Sequence, residues 1–428
     1  MSSTAGLSPI RVERALRLLP DNDTLAPLRA FLVSISHGSR PAAEKDRTFG
    51  KRLIKVADLR EFIPRAVGRL ADHLTALYGS AIDALESEER GDLAGSVEAL
   101  VNAGEREARA GRTAQAWVWY DHALRIAEGL RDRRPEIRTL RHLGELDASR
   151  GALETAARFY QRSFTLAEAE QDSRGAALAC QGLGRVAARQ GRWPGAVSWY
   201  SRALSHVQDD GTLGAELRLS IAEAEWQRGE RLAAERFLQE AEADYDRLRE
   251  CTGLARVEYL GGRLHASAER PAQALACFKT ALAHVAVKAS APELEMDIRR
   301  QIAELHVAAG RLPAAEDEIR RAEELAISTG STAALAELYL LLGRLRGLQG
   351  DEGGFVFFEK ASELCRGREP MPRLEAGVYL EYARFRRRFG ELDDCRAYLG
   401  RARELLEVED DAVVQTAIEA ELAGIGPG

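Results

Sequence analysis

Three segments of this 428-residue chain repeat one pattern at a spacing of 40: GRTAQAWVWYDHAL at 111–124, GALETAARFYQRSF at 151–164 and GRWPGAVSWYSRAL at 191–204. Each sets a Gly, then an Ala five residues on, an aromatic nine on and usually an Ala twelve on, as Gly111, Ala116, Tyr120 and Ala123 do. The second segment has Gly151, Ala156 and Tyr160 with Ser163 in the last slot, and the third has Gly191, Ala196, Tyr200 and Ala203. Another Gly lies seven residues before each, at Gly104, Gly144 and Gly184. A unit of this length cannot bury its apolar face alone, so consecutive units must stack into an array.

Each unit reads as a helix, a tight turn and a second helix. The turn Gly ends the first helix, where left-handed geometry costs it little. Pro194, Pro271 and Pro313 follow their turns at the start of the second helix, where a missing N–H is harmless. Small residues let the two backbones approach, and the aromatic fills the space between them. Further turns fall at Gly229, Glu269, Gly310, Gly350 and Gly390, while Leu238 and Ile319 replace the aromatic in two units. In the seventh unit Gly354 takes the small slot and Phe358 and Ala361 come one residue early, which predicts a shortened turn.

The Leu-Gly, turn-Gly, Ala, aromatic, Ala spacing resembles the tetratricopeptide (TPR) repeat, a helix-turn-helix of 34 residues. The longer period here amounts to about 9 Å of extra helix per unit, as in long-helix TPR variants. The resemblance implies an all-α protein, a right-handed α-solenoid of about eight TPR-like units with helical caps. We expect a helical appendage over 1–70, with Val12–Leu19 and Leu53–Leu70 as its helices, a cap helix and linker over 71–96, eight units over 97–409, and a cap helix and tail over 410–428. An elongated monomer is expected.

Composition agrees with helices, since only 6% of residues are aromatic against 45% apolar and 30% charged. The net charge is −7; residues 1–60 carry net +5 and the remainder −12, so attraction to nucleic acid or to an anionic membrane is not expected. The five cysteines form no CxxC pair and are odd in number, which argues against a disulfide framework or a zinc site and fits a cytoplasmic protein. Arg11, Glu13, Arg14 and Arg17 interrupt the amino terminus, so a secretory signal is not expected, and no apolar run is long enough for a membrane span. There is no phosphate loop, no HExxH, and Ser36 beside His37 lacks a nucleophile-elbow context. These readings predict no enzyme, cofactor or metal. Trp119 and Trp199 share one repeat slot, which favours packing over an aromatic cage.

The resemblance further implies that first helices carry the partner-binding face, at the residue after the Leu-Gly pair. That slot holds Glu105, Glu145, Arg185, Glu223, Arg263, Glu304, Arg344 and Arg384. Four residues earlier, Arg141 and Arg300 can neutralise Glu145 and Glu304, whereas Leu340 and Leu380 leave Arg344 and Arg384 without such a partner, although Glu381, three before Arg384, can pair with it. Val101 and Glu105 stand where carboxylate-clamping TPR adaptors have Lys and Asn, which argues against capture of a chain terminus. The expected partner-binding residues are Arg185, Trp226, Tyr259, Arg263, Arg344, Arg384, Arg387 and Arg388, and the expected partner is a protein or peptide segment, acidic and partly apolar at the carboxy-terminal end. The function read from this is an interaction scaffold; the second reading is a regulator that switches a partner on binding a peptide.

Overall fold

The computed structural model describes residues 90–109, 112–207, 211–288, 291–367, 371–406 and 412–425, together with Ser87, Gly6–Leu7 and Ile54–Lys55. The expected helix at Val12–Leu19, most of that at Leu53–Leu70 and most of the cap helix and linker over 71–96 lie outside these residues. Ile54 and Lys55 correct one expectation: instead of beginning a helix they pair antiparallel with Leu7 and Gly6, a two-residue strand on each side.

The helices come in consecutive pairs: α1 (Leu93–Arg109) with α2 (Thr113–Ala127), α3 (Arg134–Ser149) with α4 (Leu153–Ala169), α5 (Ser173–Arg189) with α6 (Trp193–His206), and α7 (Gly211–Gln227) with α8 (Arg231–Leu248). They continue as α9 (Cys251–Ser267) with α10 (Pro271–Lys288), α11 (Pro292–Ala308) with α12 (Leu312–Thr329), α13 (Thr332–Leu348) with α14 (Phe355–Cys365), and α15 (Pro372–Arg388) with α16 (Leu392–Leu406). A last helix, α17 (Ala412–Ile425), packs on α15 and α16. The fold class is therefore all-α, an α-solenoid of paired helices. The chain divides into two compact units, Met1–Ala234 and Glu235–Gly428, the division falling within α8.

The turns inside the pairs share one backbone solution. Gly151, Gly191, Gly229, Gly310, Gly350 and Gly390 all have φ between 68° and 85°. In each, the amide that follows reaches back five residues, as Arg192 N does to the Ala187 carbonyl at 2.9 Å and Glu391 N to the Arg386 carbonyl at 3.1 Å, closing a Schellman motif. Glu269 takes the same role with φ 56°, which only strains a residue that carries a Cβ. Its side chain is exposed and makes no contact worth keeping, so Glu269→Gly is expected to stabilise the protein by about 0.5–1 kcal/mol despite the extra freedom of the unfolded chain. A thermal melt that fell rather than rose would count against this. In the seventh pair a short 3₁₀ turn over Glu352–Gly354 leads into α14, and α14 is only 11 residues long. A Cβ on Gly354 would lie 2.6 Å from the Arg346 Cβ, so the early glycine does occupy the small slot.

Packing within the pairs is size-matched. A Cβ on Gly104, Gly144, Gly184, Gly262 or Gly343 would stand 2.4–2.9 Å from the ring of Tyr120, Tyr160, Tyr200, Phe278 or Phe358 respectively, so each ring lies directly against helix backbone. Where the ring is replaced by Ile319 or Leu399, the glycine slot holds Ala303 or Ala383. The Ala slots 12 after the turn, from Ala123 to Ala402, are fully buried. Ser163, the one polar residue among them, is fully buried too and donates its hydroxyl to the Ile137 carbonyl at 2.9 Å. Trp119 is likewise fully buried, and Trp199 packs edge-on against Phe164 at 6.2 Å, so both tryptophans are packing residues.

Candidate functional site

In the unit Met1–Ala234 the first helices α1, α3 and α5 present a linked set of polar side chains. His142 on α3 lies 3.4 Å from Glu105 on α1 and 3.4 Å from Glu145 one turn along its own helix. Glu145 also takes Arg141 at 2.7 Å and Arg185 from α5 at 3.6 Å. Tyr120 stacks on the His142 ring at 5.5 Å. The Tyr160 phenol lies within the electrostatic reach of Arg185, Glu145 and Arg141, so the ring that fills the core also brings a polar atom near this face. Burial pushes the Tyr160 phenol up to about 12. At Glu145 burial acts to raise the carboxyl, but His142, Arg141 and Arg185 together outweigh it and hold the group at about 2.

The sign of that shift sets a pH dependence. A carboxylate depressed in the folded state contributes stability that is present above its ordinary value near 4.5 and is lost as pH falls towards 2. Since the side chain is about a third exposed, we discount for solvent and expect about 1–2 kcal/mol. Glu145→Gln should therefore melt lower than the parent protein at pH 7, and the gap should close by pH 2. A constant gap across that range would assign the cost to packing.

In the unit Glu235–Gly428 the corresponding face has three parts. On α9 the Arg263 guanidinium lies 5.7 Å above the half-buried Tyr259 ring, which packs on Phe278. On α11 Arg300 bonds Glu304 at 3.0 Å and reaches Glu337 on α13 at 3.1 Å. Burial, countered in part by Arg300, raises the Glu337 carboxyl. At the carboxy-terminal end Arg344 reaches Glu381 at 3.4 Å, Arg384 bonds Glu381 at 2.6 Å and Glu421 at 2.8 Å, and Arg387 bonds Glu421 at 2.8 Å.

The pairing of Arg384 with Glu381 three residues before it agrees with the sequence, whereas the cross-helix partners, Glu381 for Arg344 and Glu421 of α17 for Arg384 and Arg387, correct the expectation that this end otherwise lacks internal neutralisation. Three guanidinium groups still face two carboxylates there. Arg388 leaves the set altogether, since its side chain turns back to the carbonyl of Gly347 at the end of α13. Arg189 does the same to the carbonyl of Ala148 one helix pair apart, so this arginine position staples neighbouring first helices through helix-end carbonyls. The slot residues are stapled in a recurring register too: Glu105–His142, Arg344–Glu381 and Arg384–Glu421 are each 37 positions apart. Trp226 is half-buried on α7, in the other compact unit from Tyr259 and Arg263.

A second feature was not read from the sequence. On the side of the second helices an open cavity of about 240 Å³ is lined by Phe358, Glu359, Ser362, Glu363 and Arg366 of α14, Tyr379 and Tyr382 of α15, and Tyr398 and Arg401 of α16. Tyr382 and Tyr398 stack at 4.1 Å, and Arg386 donates to the Tyr382 hydroxyl at 2.9 Å. The buried Ser362 hydroxyl lies 3.3 Å from Glu375 and 3.2 Å from the Tyr379 hydroxyl. A signal existed: Tyr379 and Tyr382 share one helix face, and Tyr398 stands in the slot of Trp119 and Trp199.

Among the described residues no group of three His, Cys, Asp or Glu is placed to hold a metal ion, and no helix is long and apolar enough to cross a membrane. All five cysteines are free thiols.

No family model and no curated protein matches this chain. Solved structures do. A Rap protein complexed with competence and sporulation factor superposes at a TM-score of 0.53 with 13% identity, covering 93% of this chain and 97% of the other. The Rap conjugation gene regulator of plasmid pLS20, in complex with the Phr* peptide, gives 0.51 with 11% identity over 97% and 99%. The apo form of RapI gives 0.51 with 14% identity over 64% and 98%. At these identities the likeness is one of fold. Together with the Gly and aromatic slots, the Schellman turns and the paired helices, it makes this chain a TPR-like helical-repeat protein.

Proposed function

We propose that this protein is a non-enzymatic interaction module that holds a protein or peptide segment on its first-helix faces. The observation that carries this reading is the slot series itself. Glu145, Arg185, Arg263, Arg344 and Arg384 recur at one repeat position and remain partly exposed; Glu145, Arg185, Arg344 and Arg384 are oriented by neighbours on an adjoining helix, and Arg263 by the Tyr259 ring on its own. Charges held in place before a partner arrives lose less freedom on binding and discriminate by position. The mixed signs suit a segment of mixed charge, with the surplus guanidinium around Arg344, Arg384 and Arg387 favouring acidic residues at that end.

A second reading, a regulator whose partner is switched by a peptide, is favoured by the near full-length likeness to Rap proteins solved with a factor or peptide bound. The same experiment addresses both. A photo-crosslinking residue is placed at 185 or 344 on first helices, and at 320 on α12 as the second-helix control, and partners are captured from native lysate. The proposal expects capture from 185 or 344 and none from 320, with the crosslinked product identified as a protein for the scaffold and as a short peptide for the regulator. Equal capture from 320, or none from either first-helix position, would overturn it.

A further inference from the structure

We infer that the cavity between α14, α15 and α16 receives one basic side chain, an arginine or lysine, from a protein segment docking on the second-helix side. The site is separate from the first-helix faces and does not depend on the reading given for them. Its size comes first. At about 240 Å³ it falls below the roughly 300–1,000 Å³ of pockets that take drug-sized ligands, and it suits a single side chain.

Charge decides which side chain. One wall carries Glu359 and Glu363, four apart on α14 and so on the same face, both exposed. The opposite wall carries Tyr398 and Arg401 from α16. Of the two arginines, Arg366 is already committed: its Nε lies 3.1 Å from Glu375 and its Nη2 donates to Ser362 at 2.9 Å. The remaining lining charges are two carboxylates and Arg401. Among the described residues Arg401 has no carboxylate partner; its guanidinium lies over the Tyr398 ring at 5.4 Å and the Tyr379 ring at 6.0 Å.

The geometry thus already displays the interaction we assign. A tyrosine face draws a cation through its ring quadrupole, and this chain has laid one of its own cations there. An entering guanidinium or ammonium would gain Glu359 and Glu363 as well as the ring faces, while Arg401, which is exposed on α16, swings out to water. An entering anion would meet two carboxylates and the electron-rich faces of the rings, with Arg401 as its one attraction. Arg401 is therefore a resident competitor, and that gives the proposal a sign that an anion site cannot share.

The test uses the full-length chain with ¹³C-labelled tyrosine rings, titrated with the capped peptides acetyl-Gly-Arg-Gly-amide and acetyl-Gly-Glu-Gly-amide and followed by NMR. The arginine peptide is expected to move the Tyr379 and Tyr398 resonances with an affinity of about millimolar, and the glutamate peptide to leave them in place. Replacing both carboxylates, Glu359→Gln with Glu363→Gln, should weaken the arginine peptide about threefold to tenfold. Arg401→Gln should tighten it about twofold to fivefold. All three side chains are exposed, and matched thermal melts check that the variants fold. Weaker binding by Arg401→Gln, or equal or stronger shifts with the glutamate peptide, would assign the cavity to an anion. Absence of any shift from the arginine peptide on the unmodified chain would overturn the proposal outright.

Discussion

Replacing Tyr160 by alanine is expected to lower stability by about 3–5 kcal/mol, the range for truncating a large buried aromatic. The ring is 1% exposed. It is gripped from two helices at once, because a Cβ on Gly144 of α3 would lie 2.9 Å from it and one on Gly182 of α5 would lie 2.4 Å from it. Neither glycine has a side chain that could lean into the space the ring vacates, so the cavity cannot collapse without moving backbone, and the cost should sit at the upper end. Since repeats touch only their neighbours, hydrogen exchange should quicken in α3 to α6 and change little beyond α9. Unaltered melting would contradict the burial, and uniform loss of protection would contradict neighbour-only coupling.

The second large effect concerns pairs of slots. Gly262→Ala places a methyl 2.4 Å from the Phe278 ring edge. Intrinsic helix propensity favours this change by about 1 kcal/mol, so overpacking, which costs about 1–3 kcal/mol and occasionally more, must exceed that gain before any destabilisation is seen. We expect a net loss of about 2 kcal/mol for Gly262→Ala and about 1–2 kcal/mol for Phe278→Leu, by lost area. The double variant should cost less than either sum predicts, with a coupling of about 2 kcal/mol, because it reproduces the combination found naturally at Ala303 with Ile319 and at Ala383 with Leu399. Both of those natural pairs lie together in buried clusters. Denaturant melts of the four proteins measure the cycle, and simple additivity would refute the size-matching rule.

The helix pairs, their turns and their small-residue slots were legible in the amino-acid sequence, and the reason is that each is decided within a few residues of chain. A residue needing positive φ, a proline lacking an N–H and an alanine at helical spacing all act through the local backbone, so Gly151, Pro194 and Ala203 could be placed before any tertiary contact was known. Even the departures in the seventh unit were visible, since Gly354 and Phe358 are shifted together. The Gly-with-ring and Ala-with-aliphatic matching was equally present in the sequence, at positions 15 or 16 residues apart, but its meaning needed the observation that ring and backbone touch.

What tertiary structure alone decided is where the long charged side chains go. Arginine has several rotatable bonds and reaches a neighbouring repeat as easily as its own helix, so spacing along one helix does not choose its partner. Spacing along one helix offers Arg384 only Glu381 and Arg344 no carboxylate at all, whereas Glu381 for Arg344 and Glu421 for Arg384, each 37 residues further on, neutralise them across the repeat interface. Arg388 points to the Gly347 carbonyl for the same reason, and the cavity around Tyr379, Tyr398 and Arg401 exists because three helices meet there at a register that no single helix encodes. The chain's short-range geometry determined that it would be a stack of paired helices; the stacking register, set by side chains packing across repeats, decided which charges remain available to a partner.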